Sequence, residues 1–331
     1  MVKPTALFVL GDSLSDVGNA AGAADFLLNL VLRPPTVGLC NLSDVLVLPR
    51  DCSNLFYRQA RVSNGPVAVE LLSAHLGLPA LEPSLHLVPQ RPVAGTNYAV
   101  ASAKARGQND HDLSRQVDWL LLDHAPLPTD AVYVVMIGGN DAIDALQAHV
   151  AGAPDGGRAI VTAAVRAIGD NVERLLDFGA RRIVVANVPD LATLPAVHAA
   201  ASASRDAAPT LAAASAISAA FALELDARLG AIEASGQWLA PTPPAIARFD
   251  LQAALEAARQ TIAAGGGNAI DACFDSATYR ASSTAERVFH AGCAPATSDG
   301  VPRFATFAFW DGIHPTAAAH AAIGAALGAL F

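Results

Sequence analysis

The chain reads as an α/β protein built on a parallel sheet with helices on both faces. Three observations predict this. Short apolar runs of strand length alternate with longer stretches of helical period. Two of those runs, Tyr133-Val134-Val135-Met136-Ile137 and Ile183-Val184-Val185-Ala186, are unbroken and rich in β-branched residues, as strands buried on both faces should be. Each run ends in a loop that carries glycine or polar side chains, and in a parallel sheet function gathers at that carboxyl end.

The elements follow in order. Residues 6–10 form the first strand, which runs into Gly11-Asp12-Ser13. Helical periodicity covers residues 65–76 and 114–122. The strand at 131–137 ends in Gly138-Gly139-Asn140-Asp141, a sequence that suits a tight type I′ or II′ turn. A helix at 159–178 leads to a strand at 182–187, which ends in Asn187-Val188-Pro189-Asp190. Helices are expected at about 207–235, through Phe221, Leu225 and Leu229, then at 251–263 and 316–330. The bias at residues 199–220 is alanine, the best helix former. Gly265-Gly266-Gly267 reads as a helix stop, since it lacks the spacing and preceding strand of a dinucleotide loop. Residues 29–61 show no period and carry Pro34-Pro35, Cys40 and Cys52, so they read as a long loop excursion within one domain spanning 1–331. Phe26-Leu27-Leu28 and Leu30-Val31-Leu32 form either the apolar face of a first helix, or the lining of an acyl pocket or a surface that touches lipid.

Composition narrows the function. A net charge of −9 and a pI near 5.4 argue against a nucleic-acid binder, which needs a basic patch. No unbroken run of 18 or more strongly apolar residues is present, so no membrane span is expected. The start, Met1-Val2-Lys3-Pro4-Thr5, shows no signal-peptide pattern. That leaves a cytosolic protein or the mature form of an exported one. Cys40, Cys52, Cys273 and Cys293 fall as two local pairs with no zinc-site spacing. Disulfides Cys40–Cys52 and Cys273–Cys293 are the preferred reading and imply an oxidising compartment; four buried thiols are the alternative.

Two short segments at opposite ends of the chain carry chemistry. Ser13 follows the first strand and is either a helix cap or a nucleophile. Asp311-Gly312-Ile313-His314 sets an acid three residues before a histidine, so one turn can hold a general base and the group that orients it. Phe309-Trp310 ahead of it would bury that turn. An amide at the strand end, Asn140, can donate to a developing oxyanion. The pattern G-x-S-x-S is not the G-x-S-x-G elbow of the common α/β-hydrolases.

Residues 10–19, from Leu10-Gly11-Asp12-Ser13-Leu14-Ser15, resemble the first block of the GDSL lipases and esterases, the SGNH hydrolases. Gly95-Thr96-Asn97-Tyr98-Ala99 resembles the second block, Gly138-Gly139-Asn140-Asp141 the third, and residues 309–316 around Asp311 and His314 the fifth. Arg61-Val62-Ser63-Asn64-Gly65-Pro66 and Asn187-Val188-Pro189-Asp190-Leu191 look like connecting stretches of its longer secreted branch. The blocks stand in family order from residue 7 to residue 316. The resemblance implies a flavodoxin-like three-layer α/β/α sandwich and a serine-dependent carboxylic-ester hydrolase. It implies Ser13 as nucleophile, His314 as base and Asp311 as its orienter. Oxyanion donors would be the backbone N–H groups of Ser13 and Gly95 and the side chain of Asn140. It implies no metal or organic cofactor, and a secreted or periplasmic location. Asp12, Asp16 and Asn19 match the first block and are assigned structural hydrogen bonds. One departure is visible: Ala101-Ser102 stand where the family often has Gly-Gly. The substrate implied is a small-molecule or lipid ester, with a membrane surface or a polysaccharide as its setting left open. A lipid acyltransferase and a carbohydrate O-deacetylase would use the same site; an aromatic content of 6% counts mildly against the latter. A non-catalytic binding protein on an inherited fold is disfavoured by the intact site positions.

Overall fold

A computed structural model of the protein describes residues 3–20, 61–88, 95–203, 207–239, 243–274, 290–293 and 304–331. The expected excursion at 29–61 (apart from Arg61), the apolar stretch at 26–32 and the Cys40–Cys52 pair lie outside these residues. The main sheet is parallel, in the order β1 (Leu7–Gly11), β2 (Val132–Met136), β3 (Arg182–Ala186), β4 (Ala245–Phe249). Every residue of β1 and β2 is buried, which explains why both read as continuous apolar runs. The extended segment at 96–100 adds to the free edge of β1. Val9 N–H donates to Thr96 O (3.0 Å), Tyr98 N–H to Val9 O (2.7 Å) and Val100 N–H to Gly11 O (3.1 Å). With that segment outside the first strand, the order is that of a flavodoxin-like doubly wound sheet.

Helices cover both faces. On one, α1 (Ala68–His75) packs on α8 (Ala317–Gly328), which packs on α7 (Leu251–Ala264). On the other, α2 (Leu113–His124), α3 (Gly139–Val150) and α6 (Ala207–Ala234) surround α4 (Pro154–Asp177), with α5 (Pro195–Ser202) against α6. A second, two-stranded parallel sheet pairs β5 (Asn268–Ala272) with β6 (Phe307–Phe309). The Cys273–Cys293 disulfide follows β5 directly and packs with Phe274, Phe307 and Trp310 in a small core of its own.

Five elements depart from the sequence reading, one of them β6, whose three residues are too few to stand out as an apolar run. Gly138-Gly139-Asn140-Asp141 opens helix α3 rather than closing a hairpin. Gly138 takes φ 122° as the cap, and a Cβ there would meet Phe221 at 2.4 Å. Strands β4 and β5, with sequences AIARF and NAIDA, escaped the apolar-run criterion because several of their residues are half-exposed or exposed. Helix α5 is only eight residues long and starts on Pro195 at its first turn. Among the described residues one helix, α6, is long and apolar enough to cross a membrane by length and composition. Its apolarity is mostly alanine, so it holds no unbroken run of strongly apolar residues. Its buried side is the stripe Ala214, Ser218, Phe221, Leu225, Leu229 and Ile232, facing the neighbouring helices.

Candidate active site

Gly11 ends β1 and begins the turn that holds Ser13. A Cβ on Gly11 would lie 2.5 Å from Met136 O, so only glycine lets β1 and β2 run this close to the turn. The turn is pinned by its own polar side chains. Asp16 Oδ1 accepts the N–H groups of Gly18 and Asn19 (both 2.7 Å), and Asp16 Oδ2 accepts Ala101 N–H at 2.8 Å. Asn19 donates to Asn97 O (2.8 Å) and Ala99 O (2.9 Å), and Asn97 donates back to Ser15 O (2.7 Å). These buried bonds tie the Ser13 turn to the segment beside β1.

At the other end of the chain, β6 runs through Trp310 into residues 311–316. Trp310 N–H donates to His314 O at 2.7 Å, closing the turn. The Asp311 carboxylate accepts the N–H of Ile313 (2.9 Å) and of His314 (2.8 Å). Thr316 caps α8 by accepting Ala319 N–H, and its hydroxyl donates to Phe307 O at 2.7 Å. Ser63 donates to Pro315 O (2.9 Å), and Asn64 accepts Ala317 N–H (2.7 Å). The stretch at 61–66 thus clamps the start of α8.

The two ends meet. His314 Nε2 lies 2.9 Å from Ser13 Oγ, and His314 Nδ1 lies 2.8 Å from both oxygens of Asp311. Asp311 is 4% exposed and His314 8%. A carboxylate only accepts, so it holds the proton on Nδ1 and leaves Nε2 as the acceptor facing the hydroxyl. Burial opposes the charge on Asp311, but the charge and hydrogen bond of His314 and two backbone N–H groups outweigh it and hold its pKa below the usual range. Burial likewise opposes the imidazolium, yet the charge and hydrogen bond of Asp311, with the charge of Asp12, hold His314 above its ordinary value. His320 on α8 has the opposite fate. Burial and then the charge of His314 push it down to about 3, and its Nδ1 accepts Ala68 N–H at 3.2 Å.

Asn140 stands in the first turn of α3 and donates from its side-chain amide to Ala103 O at 2.9 Å. The amide's second N–H has no partner among the described residues. Gly95 is not brought to this site. Val9 is level with Asn97 in the parallel register, so Gly95 stands level with Leu7, at the amino end of β1. A Cβ on Gly95 would lie 1.9 Å from Glu82 O, so this glycine permits a close backbone crossing there. The backbone beside Ser13 is instead the turn at 100–103. In it Ala101 N–H is taken by Asp16, Ala103 N–H by Val100 O (3.1 Å), and Ser102 takes φ 70°. The N–H groups of Ser102 and Ser13 have no partner among the described residues. Ser102 N–H is a candidate donor that the sequence alone did not single out. The available signal was the departure at Ala101-Ser102, where a left-handed residue would call for glycine. No group of three or more His, Cys, Asp or Glu among the described residues is arranged to hold a metal ion.

A hydroxyl, an imidazole and a carboxylate in hydrogen-bonded line, at the carboxyl end of a parallel sheet, define the layout used by serine hydrolases. A family model, GDSL-like Lipase/Acylhydrolase, matches residues 7–327, and the chain belongs to that family. It is also 35% identical over 106 residues to Lipase 1 of Photorhabdus luminescens, a match spanning 31% of this chain and 16% of that protein.

Proposed function

We propose that residues 1–331 form one domain of a serine carboxylic-ester hydrolase acting through Ser13, His314 and Asp311. The observation that carries this is the 2.9 Å contact between His314 Nε2 and Ser13 Oγ, with Asp311 behind the imidazole. His314 takes the hydroxyl proton as Ser13 Oγ attacks the ester carbonyl. The oxyanion is held by the backbone N–H groups of Ser13 and Ser102 and by the free N–H of Asn140, with Ser102 in the place first expected for Gly95. His314 then gives its proton to the leaving alcohol. Water, deprotonated by the same imidazole, releases the acid from the acyl-enzyme. The Cys273–Cys293 disulfide supports an oxidising location, secreted or periplasmic.

The test is hydrolysis of p-nitrophenyl esters from acetate to palmitate, with Ser13→Ala alongside. Turnover should be present in the wild type and fall by at least about 10³-fold in folded Ser13→Ala. Turnover that survives the substitution would overturn the assignment of the nucleophile. No turnover on any chain length would overturn the ester-hydrolase reading.

A further inference from the structure

Asp12 adjoins Ser13 and is 3% exposed, yet the mechanism above gives it no proton to carry. Its carboxylate touches backbone on two sides. Oδ1 accepts Leu14 N–H at 3.1 Å, within the nucleophile turn. Its Oδ2 also lies against the backbone of Gly139, the first residue of α3 and the one before Asn140: a Cβ there would stand 3.7 Å from it. One buried anion therefore bridges the two backbone segments that carry the Ser13 hydroxyl and the Asn140 amide. It stands at a helix N-terminus, where negative charge is favoured. It also lies close enough to His314 for the charges to act on each other.

We propose that Asp12 is a positioning residue: its carboxylate sets the spacing between the Ser13 turn and Asn140 and places a negative charge near His314. This rests on Ser13 being the nucleophile. The charged groups that act on Asp12 are His314, from the turn ahead of α8, and Asp141, from α3; Arg106 in turn faces Asp141. Burial is the largest influence and pushes Asp12 up to about 6; the Leu14 N–H and the His314 charge pull against it, and Asp141 adds to it. Near that pH the bridge gains a proton, and one of its accepting oxygens becomes a donor.

The experiment compares wild type with Asp12→Asn, an isosteric change that removes the charge. His314 is titrated by NMR in the resting enzyme, and kcat and KM are measured on whichever ester the wild type turns over best. In the variant the His314 midpoint should move to lower pH by about one unit, since an anion beside the imidazole is gone. The kcat should fall about 10- to 100-fold with KM nearly unchanged, as a small misplacement of reacting groups does. An unmoved His314 midpoint, or an undiminished kcat, would overturn the proposal. Asp12→Ser gives the same comparison if Asp12→Asn does not fold. The NMR midpoint needs no substrate, so it is separable from failure of the ester-hydrolase reading.

Discussion

Asn140 divides one amide between two tasks. One N–H fixes the turn at 100–103 through Ala103 O, and on the proposed mechanism the other holds the oxyanion. Asn140→Ala should therefore lower kcat by about 10²–10³-fold, as loss of one oxyanion donor does, while circular dichroism stays native. The two backbone candidates are told apart by a pair of substitutions. Ser102→Gly keeps the N–H and suits φ 70°, so activity should be retained and stability raised. Gly95→Ala drives a Cβ into the Glu82 carbonyl, so it should lower the melting temperature, with activity falling only in step with the folded fraction. His314 must be neutral to act as base and is held above its ordinary value, so kcat/KM should rise with pH through a midpoint above 6.5 and then level off. A midpoint below 6.5 would contradict the electrostatics described here. At this scale the motifs around Ser13, Asn140 and Asp311-His314 were readable because each is a compact run of unusual residues. Ser102 was not, because the donor beside a nucleophile is chosen by strand register, which no local pattern records.

Among the elements, the β5–β6 pair holds the Asp311–His314 turn from behind. Cys273 N–H donates to Phe309 O (3.0 Å) and Phe274 N–H to Trp310 O (2.7 Å), directly ahead of Asp311. The disulfide from Cys273 to Cys293 closes a separation of 20 residues. Replacing both cysteines by serine should lower stability by about 3 kcal/mol in urea unfolding. Activity should become more heat-sensitive than the secondary structure of the main sheet. The strands that sequence reasoning found, β1 to β3, are the central ones, buried on both sides. It missed β4 and β5, where half-exposed positions admit arginine, aspartate and small residues. It misjudged α3 because glycine pairs are common in turns, whereas here Gly138 is shaped by Phe221 of α6, about eighty residues further along.

Over the whole molecule, charge burial sets how stability depends on pH. His320 is kept neutral in the fold down to about 3, while in the unfolded chain it takes a proton near 6.5. The unfolded state therefore binds the extra proton in that window, and stability falls as pH drops through it. Asp12, Asp16 and Asp141 act in the opposite sense. Burial raises all three, so their ionised forms weigh against the fold and acid relieves them. His320→Asn keeps an acceptor for Ala68 N–H but cannot protonate. Its unfolding free energy between pH 6 and 4 should lose less on acidification than that of the wild type, by about 1.4 kcal/mol per pH unit. Parallel slopes in urea titrations would contradict this. The class of fold was readable because alternation of strands and helices is a property of the whole chain; the three-layer order also needed the edge segment at 96–100, which is extended but short of a regular strand. The meeting of Ser13 with His314 spans 301 positions of sequence. No ribosome-bound fragment that stops short of residue 314 can carry both groups, so on the proposed mechanism turnover would report that synthesis has passed that residue and that the chain has closed upon itself.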